Sequence, residues 1–215
     1  MLIKNTRSTS SWHVKIPVLI LVFYFLVILP CTQILFRSHP WIYNHSDTLY
    51  FTAVVIFIFI RFNLIEIGFS TKYLKQNLIL GLISGWTILL SLPVLNAGLE
   101  VADSTSHKLV GRNSISDFSF NFKFLLEKIG IILFIPLIEQ IFFTGFVLQC
   151  LLKKINPILA VYSLGLIYSL TGFNLTFGSF LLGITSSLLF ILTGTLYAPI
   201  LFHMSCAMGW ELLTH

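Results

Sequence analysis

The sequence predicts an all-α, polytopic membrane protein with about seven transmembrane helices in one bundle. Two observations carry that prediction. Of the 215 residues, 56% are hydrophobic and only 10% are charged, against roughly 25% charged in an ordinary soluble domain. The apolar residues are also gathered into runs close to the ~20 residues that a helix needs to cross a hydrocarbon core. Such a chain has too few charges to cover a globular surface, which excludes a soluble enzyme, a nucleic-acid binder and a disordered protein. The net charge of +5 reads as membrane-flanking charge, because the basic residues fall between the apolar runs.

The runs are residues 16–36, 49–62, 78–95, 129–152, 155–173, 177–192 and 198–213. The first is too long for a signal peptide and no small-residue cleavage site follows it, so it reads as a retained helix. The second and the last are short. Residues 63–75 are polar at intervals and hold Gly68, which predicts a short interfacial helix followed by a turn. Cys31, Cys150 and Cys206 lie in or beside apolar runs. An odd number without framework spacing argues against a disulfide scaffold and for buried packing thiols.

Loop charge orients the chain. Lys4, Arg7 and Lys15 precede the first run with no acid among them, and Arg61, Lys72 and Lys75 face Glu66 alone after the second. The long loop 96–121 carries Glu100, Asp103 and Asp117 against Lys108 and Arg112, while Lys153 and Lys154 follow the fourth run. One alternating topology fits all four loops, with the amino terminus cytoplasmic. The expected location is a bacterial inner membrane.

Two ionisable residues fall inside runs rather than at their ends. Glu139 lies near the middle of the fourth, as the only carboxylate at mid-depth, and His203 lies near the middle of the last. A charged side chain at a helix centre costs roughly 2.5–3.5 kcal/mol, so such groups usually face the bundle interior and pair. A facing Glu and His are the minimum for activating a water; the alternative is a structural pair between helices. Pro136, three residues before Glu139, removes a backbone donor and can open the helix there. Gln140 puts a polar group on the adjoining face, and Gly145 allows close helix packing. One His and one carboxylate fall short of the three protein ligands of a catalytic zinc, so neither metal nor cofactor is expected. Cys206, one turn after His203, reads as a packing thiol rather than a nucleophile.

The stretch Glu139-Gln140-Ile141-Phe142-Phe143-Thr144-Gly145 resembles the first motif, E-E-x-x-x-R-G, of the CPBP intramembrane proteases, the CAAX-protease and bacteriocin-processing (Abi) family. Residues 63–69, Asn-Leu-Ile-Glu-Ile-Gly-Phe, are similar to a turn that often precedes the family's third span. Thr193-Gly194-Thr195-Leu196-Tyr197-Ala198-Pro199-Ile200-Leu201-Phe202-His203 resembles the approach to its last motif. The similarity runs from about Arg61 to the carboxyl end. It divides the chain into an amino-terminal tail with two helices, 1–60, and a core carrying the site, 61–215.

The chain departs from the pattern at several positions. The histidine of the second motif, F-x-x-x-H, is Gly172, following Tyr168 at the aromatic position. The Asn or Asp of the third motif is Ala207, the second glutamate of the first is Gln140, and its arginine is Thr144. The resemblance implies Glu139 as the base that activates water and His203 as a partner that shapes the site. Gln140 or His203 would give a donor to the oxyanion. Tyr168, Thr171 and Asn174 are supporting candidates. Two readings follow. One is an intramembrane endopeptidase acting on a membrane-associated protein or peptide; the other is a member that has lost catalysis and serves as a binding, immunity or assembly protein. Either would have membrane lipids and a membrane-associated protein as partners, and no nucleic acid.

Overall fold

The computed structural model describes residues 15–36, 38–102, 128–171 and 177–214. Among the described residues every regular element is a helix. The helices are α1 (Lys15–Leu35), α2 (Pro40–Arg61), α3 (Leu64–Ile67), α4 (Leu74–Ala102), α5 (residues 130–152), α6 (Pro157–Thr171), α7 (Phe177–Thr193) and α8 (Tyr197–Thr214). The described residues of each of the seven apolar runs lie mainly on a helix. Two stretches, Lys15–Leu35 and Ile132–Leu152, are long and apolar enough to cross a membrane, while Pro157–Thr171 and Gly178–Thr193 are apolar but shorter. The outward surface is that of a protein in lipid. Leu19, Leu26, Ile34, Ile60, Leu90 and Leu192 all stand at least 70% exposed, which water would penalise.

One boundary differs from the prediction in a way that matters below. Helix α2 begins at Pro40 rather than at residue 49. Proline suits the first helical turn, where its missing N–H is not needed. The polar stretch Asn44-His45-Ser46-Asp47-Thr48, which precedes the predicted run, is therefore helical.

The predicted helix and turn at residues 63–75 are present. Leu64–Ile67 forms a single turn of helix, and Gly68 ends it in the left-handed region at φ 113°, where a side chain would be strained. A Cβ at Gly68 would also press on Phe190 and Leu196. The turn is tied to the chain that leads into α8. The Leu196 N–H donates to the Gly68 carbonyl (3.0 Å), and the Asn77 amide donates to Thr195 Oγ1 (2.9 Å). Gln149 of α5 donates to the Ile67 carbonyl (2.8 Å). Gly145 leaves room for Ile67 and Leu196 to close on α5. The turn thus fixes where α8 starts, and with it the position of His203.

Small residues bring α4 against α8. A Cβ at Gly81 would lie 2.6 Å from the Ala198 carbonyl oxygen, and one at Gly85 would collide with the side chain of Ser205. Glycines four apart form one smooth strip on a helix, and such strips let apolar helices approach closely where lipid supplies no hydrophobic drive. The interior is aromatic. Tyr24 of α1 packs on Phe51 of α2 (5.0 Å between centroids), Phe51 on Phe142 of α5 (4.9 Å), and Phe143 on Tyr168 of α6 (4.6 Å).

Candidate active site

Helix α5 presents the acid. It is wound wider than an α-helix at Gly130–Phe134 and again at Gln140–Leu148, with Pro136 and Glu139 in the normal turn between. A proline cannot donate to the preceding turn, and wide turns are one way to absorb the misfit. The whole stretch from Gln140 to Leu148 is buried, whereas the Glu139 side chain keeps 29% of its surface accessible. It opens onto a cavity of about 80 Å³ with Asp47, Thr48 and Thr171 as the other polar walls and Phe51, Ile135, Ile138 and Phe143 as apolar ones. One water needs roughly 10–15 Å³ of such space, so the cavity has room for several.

Glu139, Gln140, Tyr168 and His203 form one cluster. The Tyr168 hydroxyl donates to Glu139 Oε2 at 2.8 Å. His203 Nε2 lies 3.8 Å from the same oxygen, close enough for attraction but beyond a direct hydrogen bond. On the other side of the imidazole, Nδ1 lies 3.2 Å from Gln140 Nε2 and 3.3 Å from the Tyr168 oxygen. Gln140 Nε2 also faces Tyr168 Oη at 3.2 Å and Ser186 Oγ of α7 at 3.1 Å, while its carbonyl accepts from Thr144 Oγ1 at 2.7 Å.

An amide nitrogen only donates, so the contact between Gln140 and His203 is a hydrogen bond when Nδ1 accepts and the ring proton sits on Nε2, facing Glu139. With its single proton directed to Glu139, the Tyr168 oxygen is bonded to Nδ1 only in the opposite tautomer. The two departures from the first motif, Gln140 and Thr144, meet each other. Together they hold the amide so that its nitrogen points at the histidine.

The supporting candidates divide. Tyr168 is central, as donor to Glu139. Thr171 lines the cavity, but its hydroxyl donates to the Tyr168 carbonyl of its own helix (2.8 Å), so what it offers the site is position. Asn174 lies outside the described residues. Gln140 is corrected in role: it is fully buried, and its two N–H protons are engaged by three acceptors, so it has no donor left for an oxyanion. Cys206 packs beside Leu189, Ala198 and Phe202. Among the described residues no group of three or more His, Cys, Asp or Glu side chains is placed to hold a metal ion.

Three residues escape the sequence reading. Ser186 is buried in α7 beside Gln140; Gly183, one turn earlier, allows α7 to close on Tyr168 and Gly165. Tyr24 is fully buried and donates to the Thr171 carbonyl at 2.9 Å. Asp47 corrects the expectation that Glu139 is the only carboxylate at depth, since both line one cavity. The signals were a Ser-Ser pair within an apolar run and a polar stretch immediately before another.

Fold and site together define an integral membrane protein of apolar helices around a buried glutamate–tyrosine–histidine–glutamine cluster. Residues 121–209 match the model of the Rce1-like family of type II CAAX prenyl endopeptidases, in keeping with the resemblance to the CPBP proteases carried by the motifs. The matched segment contains Glu139, Gln140, Tyr168, Thr171, Ser186 and His203, and stops short of Tyr24 and Asp47. No curated protein and no solved structure matches the chain.

Proposed function

We propose that this protein is an intramembrane endopeptidase of the CAAX-protease type, in which Glu139 activates a water for attack on a peptide bond. The observation that carries the reading is the placement of Glu139. It is held by the Tyr168 hydroxyl, faced by His203 Nε2, and open to a cavity with room for water. Acyl transfer to water needs a base, a donor for the developing oxyanion and exclusion of bulk solvent. Glu139 is the base, and the Nε2–H of His203 is the donor nearest the reacting oxygen. Tyr168 holds the carboxylate, and Gln140 holds the histidine. The family match supports a membrane-bound prenylated CAAX peptide as substrate. The bundle would span a bacterial inner membrane seven times, amino terminus inside.

The second reading is a family member that binds such a partner without cleaving it. Gly172 and Ala207 favour it, since neither can supply the hydrogen-bonding side chain of the motif it replaces. Cleavage of a prenylated CAAX peptide by the purified full-length protein, with Glu139→Gln as control, separates the two. Turnover abolished by the substitution supports the peptidase, and binding without turnover in both proteins supports the alternative.

A further inference from the structure

We propose that Tyr24 of α1 is a positioning residue of the active site, holding the end of α6 so that the Tyr168 hydroxyl meets Glu139. This rests on the reading of Glu139 as the base. Tyr24 lies outside the matched segment, in a helix that hydropathy marks only as a span.

Helix α6 ends at Thr171, and the last carbonyls of a helix have no partner within it. Thr171 is buried, so a bare carbonyl there would be costly. The next residue, Gly172, brings no side chain to the task. The Tyr24 hydroxyl does the work instead, donating to the Thr171 carbonyl at 2.9 Å across 147 residues of sequence. From there the contacts continue to the site. The Thr171 hydroxyl donates to the Tyr168 carbonyl at 2.8 Å, and the Tyr168 hydroxyl donates to Glu139 Oε2 at 2.8 Å. A second path is aromatic. The Tyr24 ring lies against Phe51 (5.0 Å between centroids), Phe51 against Phe143 (5.3 Å) and Phe143 against Tyr168 (4.6 Å). Both paths end on Tyr168.

Tyr24 is itself held from the far side. It has no exposed surface, and it opens a wide turn of α1 at Tyr24–Ile28, a form that is frequent at functional sites. One turn earlier, the Ile20 carbonyl accepts from the Tyr50 hydroxyl of α2 at 2.7 Å, and the Tyr50 ring lies 5.4 Å from that of Tyr24. Helix α1 is thus tied to α2 on one side and to α6 on the other. Phenylalanine at position 24 would fill the same space, and a buried phenol needs a partner for its O–H that phenylalanine does not. The hydroxyl is what positioning requires and packing does not.

The test uses the full-length protein in lipid nanodiscs. Tyr24→Phe keeps the ring and removes the O–H, so the melting temperature should stay within a few degrees of wild type. Cleavage of a prenylated CAAX peptide should fall about three- to tenfold. The loss should appear in kcat with KM unchanged, since Tyr24 is not a wall of the cavity. In a Tyr168→Phe background the same change should cost less than about twofold, because its effect passes through the hydroxyl already removed. A rise in KM, a loss that multiplies in the double mutant, or no loss in the single one overturns the positioning role while leaving Glu139 as base. Full activity of Glu139→Gln overturns the base and the proposal with it. The carbon-13 resonance of the Glu139 carboxyl, assigned by its disappearance in Glu139→Gln, reads the contact without turnover. It should move in Tyr24→Phe in the same direction as in Tyr168→Phe, and by less. A Glu139 resonance in Tyr24→Phe identical to that of wild type overturns the proposal, whether or not peptide is cleaved.

Discussion

Gln140 Nε2 lies 3.2 Å from Nδ1 of His203, a contact that is a hydrogen bond only when the imidazole proton is on Nε2. The amide is locked in orientation by Thr144, whose hydroxyl donates to its carbonyl oxygen, and by Ser186, which accepts from its nitrogen. A glutamate at position 140, as in the family's first motif, would accept from Nδ1 when ionised. The glutamine donates to it. The substitution thus retains a partner for the histidine while reversing the hydrogen bond between them, and leaves the Nε2–H directed at Glu139.

Gln140→Glu should reverse the tautomer. Nitrogen-15 spectra of histidine-labelled protein should show the His203 proton moving from Nε2 to Nδ1, and peptide cleavage should fall at least tenfold. Losing an orienting hydrogen bond to a buried group costs about 1–3 kcal/mol, which is a tenfold effect or more. Gln140→Leu should also lower cleavage, but without placing the proton on Nδ1. Unchanged His203 spectra in Gln140→Glu would show that the glutamine does not set the tautomer.

The helices were legible because lipid leaves few alternatives: an apolar run near 20 residues long must be a helix. The boundary missed at α2 shows where that logic ends. Asn44 to Thr48 are polar, and hydropathy starts the second run after them, yet Pro40 starts the helix ahead of them and Asp47 lines the same cavity as Glu139. Glu139 and His203 were legible because charge inside an apolar run stands out. The contacts of Gln140 were not, since its partners Tyr168, Ser186 and His203 lie 28, 46 and 63 residues away on three other helices, and nothing in sequence spacing brings them together.

The topology predicts labelling. Single cysteines replacing Lys4 and Lys153 should react with a membrane-impermeant reagent from the same side of sealed vesicles, and one replacing Lys108 should react from the other. By the positive-inside rule, the charge asymmetry of the loops would put the first two groups on the cytoplasmic side. Labelling of Lys4 and Lys153 positions from opposite faces would require an odd number of crossings to be gained or lost between them, and would discard the seven-helix arrangement.

Gly85 should tolerate no side chain. The Cβ of Gly85→Ala would collide with Ser205, whose hydroxyl is itself bonded to the Leu201 carbonyl at 2.8 Å. Overpacking of this kind costs about 1–3 kcal/mol. The melting temperature in detergent should drop, and cleavage should fall with it, because α8 carries His203 two residues from the clash. Adding Ser205→Gly to Gly85→Ala should restore most of the loss, since the two changes touch the same contact and so should not be additive.

Tyr168→Phe separates position from proton donation. The ring stacks on Phe143 at 4.6 Å between centroids, and phenylalanine keeps that contact, so the fold should survive with a melting temperature within a few degrees of wild type. The hydroxyl is the only direct donor to Glu139 among the described residues, and it accepts from Gln140. Without it the carboxylate loses its anchor, and the Gln140 amide has two acceptors, Ser186 and His203, for its two protons. The histidine contact should therefore persist, and its tautomer with it. A hydrogen bond to a charged group is worth about 1.5–3 kcal/mol, so cleavage should fall roughly ten- to a hundredfold. The loss should appear in kcat rather than KM, because Tyr168 holds the base and sits behind it as seen from the cavity, whose walls it does not join. A rise in KM at constant kcat would instead make Tyr168 part of the substrate-binding surface, and would move the reacting peptide to the other side of Glu139.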